Sequence, residues 1–275
     1  KINVHVTMLG GGFGRKSKPD FSAEAAYISM KTGKPIRVQW TREDDIQHSF
    51  YHAVSAQHIE ASLNEKGNIE AYLHRTAFSP IMSTFQEGAS APGGFELDLG
   101  FTDNPILAPN MKLERGEAPA KARIGWMRSV TNIFHAFAVQ SFINEAAHKA
   151  GKDSKDYLLE TIGPARTIDF ANQNANYNNY GGDKAVYPLE TSRLRHVIEK
   201  AASMANWGRT LPKGRGLGIA AHRSFLTYVA TVVEVEVSDA GDLNVIKSWV
   251  AIDAGTVVNT DTVKNQTQGG SIYGI

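Results

Sequence analysis

Residues 2–9 alternate apolar Ile2, Val4, Val6 and Met8 with Asn3, His5 and Thr7, a period of two that predicts a strand with one better-buried face. A helix follows over 21–32, with Asp20 placed to cap it and Gly33 to end it. Ile36, Val38 and Trp40 resume the alternation as a second strand, so the first forty residues read as a βαβ unit. Two longer strands, 52–63 and 69–78, flank the glycine-containing loop 64–67 as an antiparallel hairpin. From 79 to 123 no period is sustained, which is expected of a functional loop or of hidden elements.

Helical spacing returns with Phe134, Phe137, Ala138, Ser141, Phe142 and Ala146, predicting a long amphipathic helix that ends near Gly151. A shorter helix is expected over 153–162, and another on Leu194, Val197, Ile198, Ala201, Ala202 and Ala205. Strands over 216–221, 228–237 and 243–252 precede a last helix, 260–275, capped by Asn259. The Asn-rich stretch 172–183 has few apolar groups to pack and is the expected linker between a first domain, 1–171, and the start of a second, 184–275. The fold class is α/β with α+β character: mixed sheets and packed helices.

Composition narrows the function classes. Lys and Arg number 29 against 28 Asp and Glu in 275 residues, so no global field draws nucleic acid or anionic lipid. The chain has no cysteine, which removes disulfides, thiolate metal sites, Cys nucleophiles and protein-ligated iron–sulfur clusters. No apolar run is long enough for a spanning helix. The chain starts with Lys1 inside a strand pattern and stops at Ile275 inside a helix pattern, and so reads as a piece of a longer polypeptide.

The strongest chemical signal is Gly10-Gly11-Gly12-Phe13-Gly14-Arg15-Lys16, set between the first expected strand and helix. Glycines let a ligand approach the backbone closely, and two cations stand beside it. Arg15 occupies the place of the third glycine of the dinucleotide fingerprint, and no Gly-Lys-Ser/Thr follows, so neither a Rossmann cofactor nor a nucleoside triphosphate is indicated. A tight turn explains such a run equally well when it stands by itself. His48 and His52 are four apart but lack a third ligand, and no protein-ligated metal is expected. Glu43, Asp44 and Asp45 read as a solvated or capping cluster on an extended loop.

Two further segments shift the balance: Gly125-Trp126-Met127-Arg128-Ser129-Val130 at the start of the Phe-rich helix, and Ile252-Asp253-Ala254-Gly255 through Val258-Asn259 to Gln266-Thr267-Gln268-Gly269-Gly270. Gln266 is expected to turn toward the interior. In this order the three segments resemble the molybdenum-binding subunits of the xanthine dehydrogenase and aldehyde oxidase family, isoquinoline 1-oxidoreductase beta subunits above all. Trp40-Thr41-Arg42-Glu43-Asp44-Asp45 and Ser141-Phe142-Ile143-Asn144-Glu145 extend the resemblance over nearly the whole chain.

The resemblance implies a molybdopterin-binding domain followed by part of a second similar one. It maps Gly11, Gly12, Phe13 and Gly14 to contact with molybdopterin, with Phe13 also a wall against a flat substrate. Arg128 maps beside the substrate, where its charge stabilises developing negative charge, and also touches the cofactor; Gln266 and Gly269 map to the pterin. Implied as well are a molybdenum–molybdopterin cofactor in its cytosine dinucleotide form, a small [2Fe–2S] partner subunit, an N-heteroaromatic or aldehyde substrate, and a bacterial cytoplasmic or periplasmic site. The family's catalytic Glu, in a Gly-Glu-Pro context, has no match here and is expected beyond Ile275; a Gly-Gln-Gly segment is expected before Lys1. Many relatives carry Glu at the position of Gln140, which is therefore given no role. The competing class is a non-catalytic cofactor-binding or assembly module.

Overall fold

The computed structural model describes residues 3–170 and 177–275. Ile2 of the expected first strand and residues 172–176 of the expected linker lie outside the described residues. The chain divides into two compact units: Lys1–Ala56, Ala77–Gly93 and Gly116–Val130 form the first, and Gln57–Thr76, Gly94–Arg115 and Thr131–Ile275 the second.

The first unit carries α1 (Asp20–Thr32) and α2 (Arg42–His48), neither with a buried residue. Gly33 stops α1 in the left-handed region at φ 64°, its N–H donating to the Ser29 carbonyl at 2.9 Å, as expected. Asp20 is the first helical residue and not the cap, a place taken by Pro19. The expected strands at 2–9 and 36–40 do not form among the described residues, so there is no βαβ unit. Alternation names a face but supplies no ladder partner, and Val4, Val6 and Met8 are 79, 92 and 102% exposed. Residues 42–48 are a helix and not an extended loop. The capping reading of its acids holds: Thr41 Oγ1 accepts the Asp44 N–H at 3.1 Å and the Asp44 carboxylate accepts the Thr41 N–H at 3.1 Å.

The hairpin strands are β1 (Ser55–Leu63) and β2 (Ile69–Phe78), closed by Gly67 at φ 77° and by the Asn64 N–H donating to the Asn68 carbonyl at 2.9 Å. The expected long loop hides a short helix, α3 (Gly94–Leu97), and a strand, β3 (Asn110–Gly116), which completes a sheet of order β1-β2-β3. Its sequence, Asn-Met-Lys-Leu-Glu-Arg-Gly, lacks the β-branched residues that mark strands, and the sheet supplies its partner.

The second unit is built on α4 (Asn132–Ala150), α5 (Ser154–Ile162), the two-residue pair β4 (Thr167–Ile168) and β5 (Leu189–Glu190), and α6 (Thr191–Met204), followed by β6 (Arg215–Ser224), β7 (Thr227–Val237), β8 (Leu243–Asp253) and α7 (Thr260–Gly274). β6, β7 and β8 make an antiparallel sheet in that order. Leu194, Val197, Ile198 and Ala201 of α6 are at most 2% exposed and pack in one cluster with Tyr228, Ala230 and Val232 from alternate positions of β7. Each large side chain there contributes about 1.5–3 kcal/mol of burial. On α4 the buried stripe is Asn132, His135, Val139, Ile143 and Ala146, so the expected phenylalanine face is rotated: Phe137 is 74% exposed. Both faces satisfy helical spacing, and packing chose between them.

Candidate functional site

In the first unit the glycine loop turns on itself. The Arg15 N–H donates to the Gly12 carbonyl at 2.9 Å, and Ser17 Oγ donates to the Gly14 carbonyl. Phe13 takes φ 49° and Gly14 φ 90°, the left-handed region that resists a bulky side chain. The Phe13 ring lies over Gly11, where a Cβ would meet Cε2 at 3.0 Å, while Gly10 and Gly12 have no such crowding. Arg15 fastens the loop to α1 through two parallel hydrogen bonds to Asp20, at 2.8 and 2.9 Å. Burial opposes ionisation of Asp20, but the Arg15 guanidinium outweighs it and holds the carboxyl below its usual range.

The second motif meets the first at Gly14, where a Cβ would overlap the Trp126 carbonyl oxygen. Residues 123–125 are held beside Tyr51, whose N–H donates to the Arg123 carbonyl and whose carbonyl accepts the Gly125 N–H, both at 2.8 Å. Arg128 is exposed two residues beyond Trp126. Ser129 and Val130 follow at φ 68° and 52°, the latter unusual for a β-branched residue. Such strain gathers where surrounding structure overdetermines a site. Thus Gly14, Phe13 and the Trp126–Arg128 stretch belong to one assembly. Gln266 and Gly269 lie in the second unit, on α7, which has no buried residue. The expectation that Gln266 points inward is corrected: Gln266 is exposed, and Ile272 and Tyr273 on the same helix are 75 and 72% exposed. Its cap is as expected, Asn259 Oδ1 accepting the Thr262 N–H at 2.8 Å.

The second unit holds a buried polar layer that the sequence pattern did not reveal. Asp103 accepts the Gly100 N–H at 2.7 Å and the Tyr180 hydroxyl at 2.8 Å. Burial pushes its carboxyl up to about 7 against those two donors. Arg223 donates to Asn179 Oδ1 at 2.8 Å and to the Tyr177 hydroxyl at 2.5 Å. His222 Nε2 meets Asn132 Oδ1 at 2.7 Å, and His135 bridges the Leu99 carbonyl at 2.9 Å and Thr76 Oγ1 at 3.1 Å. Burial lowers His222 to about 4 and His135 to about 3. Beside this layer, a groove of about 640 Å³ runs between α4 and β6–β7, with Gln140, Ser141 and Asn144 on one wall and Gly218 and His222 on the other. Gln140, to which the sequence assigns no role, accepts the Ala221 N–H on Oε1 at 3.0 Å and ties α4 to β6. Polar residues scattered over five segments carry no spacing signal, so only the tertiary arrangement could reveal them.

Among the described residues no group of three or more His, Asp or Glu side chains could hold a metal ion. No helix is long and apolar enough to cross a membrane.

Residues 1–157 match one molybdopterin cofactor-binding domain model and residues 140–275 a second. The chain belongs to the molybdopterin cofactor-binding family. It is 28% identical over 285 residues to the isoquinoline 1-oxidoreductase subunit beta of Brevundimonas diminuta, covering 100% of this chain and 33% of that one. It is also 28% identical over 290 residues to a protein named membrane-bound aldehyde dehydrogenase (pyrroloquinoline-quinone) from Gluconacetobacter polyoxogenes, covering 100% and 36%. The chain therefore spans about a third of these relatives. In fold it is similar to the aldehyde oxidoreductase of Desulfovibrio gigas (TM-score 0.53, 16% identity, 86% of this chain and 25% of that one). Quinoline 2-oxidoreductase from Pseudomonas putida 86 is comparable (TM-score 0.53, 17% identity, 86% and 32%).

Proposed function

We propose that this chain is the part of a molybdenum hydroxylase that cradles molybdopterin, in an enzyme oxidising an N-heteroaromatic or aldehyde substrate with oxygen from water. The observation that carries the reading is the seating of Gly14 against Trp126, which puts the glycine loop and the Arg128 segment in one assembly inside a chain matched by cofactor-binding domain models throughout. The uncrowded backbone of Gly10 and Gly12 suits close approach by an oxygen-rich, anionic ligand. In this reading Gly11, Gly12 and Gly14 hold molybdopterin, Phe13 walls the substrate, Arg128 serves both, and Gln266 and Gly269 serve the pterin from α7. The cofactor, in its cytosine dinucleotide form, supplies the redox chemistry; the protein binds, orients and excludes water. The base is a Glu outside this chain. Electrons leave through a small [2Fe–2S] partner, since this chain has no cysteine to hold a cluster.

The test is metal and cofactor analysis of the full-length protein after cofactor-replete expression. Stoichiometric molybdenum supports the reading. A protein without molybdenum is instead a non-catalytic module or, if it carries the quinone printed in one relative's name, a quinone enzyme. Arg128→Ala is expected to lower turnover more than molybdenum content, because its charge serves the substrate first; equal losses make it structural.

A further inference from the structure

Lys18 follows the helical turn Arg15–Ser17 of the glycine loop and is 4% exposed. Its ammonium lies 4.2 Å from the ring centroid of Phe50, 4.7 Å from that of Phe85 and 4.2 Å from that of Trp126. No hydrogen-bond acceptor among the described residues is within reach of Nζ. The stem crosses Gly125, where a Cβ would stand 3.5 Å from Lys18 Cε. Arg15 and Arg123 also face the Phe50 ring, at 5.5 and 4.9 Å, so that ring collects three cations.

An ammonium buried without an acceptor is strongly unfavourable, because its lost hydration is not replaced. Only the ring faces offset that cost here, through desolvated cation–π contacts. Burial accordingly lowers the pKa of Lys18, with Arg15 adding to the effect and Asp20 opposing it. The three rings come from three separate stretches of the first unit, after α2, in the loop beyond β2, and in the motif that carries Arg128. Movement of any one would leave the charge bare.

We propose that Lys18 is a positioning residue: its caged ammonium staples the glycine loop to the Trp126 segment, setting Phe13 and Gly14 on one side and Arg128 on the other. It acts through Trp126 and through its own backbone, touching neither substrate nor cofactor. The link to turnover rests on the function proposed above; the staple itself does not.

The test uses the full-length protein with Lys18→Met, of similar reach but uncharged, and Lys18→Arg, which keeps the cation. Lys18→Met is expected to speed hydrogen–deuterium exchange about thirtyfold in both 10–18 and 123–130, the size of roughly one such desolvated contact, without change in 191–204. Lys18→Arg retains slow exchange. Alkaline titration of tryptophan emission is expected to show a transition below the ordinary lysine range in the wild type that Lys18→Met lacks. In the molybdenum-loaded protein, Lys18→Met lowers kcat/KM without changing molybdenum content. Unchanged or slower exchange in Lys18→Met overturns the proposal, because packing and not charge then holds the cage. Faster exchange in only one of the two segments overturns it as well. If Lys18→Met does not fold, Phe85→Leu removes the ring of a residue that is 63% exposed: loosening of both segments supports the staple and loosening of neither overturns it. The exchange and emission measurements need no molybdenum, so a metal-free protein defeats the enzyme reading and leaves the Lys18 result standing.

Discussion

The two units are held together by different physics. The second rests on a contiguous apolar cluster between α6 and β7, with Ile198, Ala201, Tyr228, Ala230 and Val232 fully buried, and on a hydrogen-bonded polar layer beside it. In the first, α1 and α2 bury nothing, and the motif segments are fixed by left-handed backbone, an Arg15–Asp20 pair and cations on ring faces. A unit built on area tolerates local change in proportion to area lost. A unit built on a few special contacts fails where one of them is broken, and the residues with the clearest chemical signal lie there.

Four experiments break or sharpen the contrast. Leu194→Ala, 1% exposed on α6, is expected to cost about 2–5 kcal/mol in chemical denaturation through lost burial and a residual cavity. Gly14→Ala forces a side chain onto φ 90° and the Trp126 carbonyl. It is expected to lower molybdenum content about tenfold, equivalent to about 1.4 kcal/mol, while exchange in 191–204 stays at the wild-type rate. Loss of protection throughout the second unit would deny the units their separate physics.

The third experiment reads pH. His74, buried on β2, together with His135 and His222, which burial lowers to about 4, 3 and 4, stay neutral when folded, so their contribution is fully present above the unfolded value of 6.5 and is lost as pH falls below it. Asp103, raised to about 7 from 3.8, works oppositely: its contribution is full below 3.8 and is lost as pH rises through 7. The melting temperature is expected to fall between pH 7 and 5, and Asp103→Asn to steepen that fall; a flatter profile in the variant contradicts the assignment. The smallest effect is expected from Ile28→Ala on α1, already 40% exposed and worth within about 0.5 kcal/mol by the same denaturation assay. A cost matching that of Leu194→Ala would erase the difference between the units.

Much of the second unit was legible beforehand because its signals are local and periodic. The residues of the α6 stripe are all buried, Gly151 and Asn259 end and cap their helices, and β7 and β8 stand where alternation put them. The end of β6 was missed for a physical reason. Its two-residue turn, Phe225–Leu226, takes φ 47° and 68°, a conformation normally filled by Asn or Gly, so the hairpin carries no turn signal. Strands at 2–9 and 36–40 were expected from alternation that no neighbouring strand completes, and β3 was overlooked because its partner, not its composition, makes it a strand.

The amino-acid order by itself determined helix and strand period, the stops at Gly33 and Gly151, and the family to which the glycine, arginine and glutamine segments belong, because each depends on spacing along the chain. Tertiary structure alone decided which face of α4 is buried, that Gln266 stands on an exposed helix, that Asp103 and three histidines are desolvated, and that Lys18 lies among three rings. Those outcomes depend on which distant groups exclude water from a side chain, and burial is a property of the surroundings that spacing does not encode.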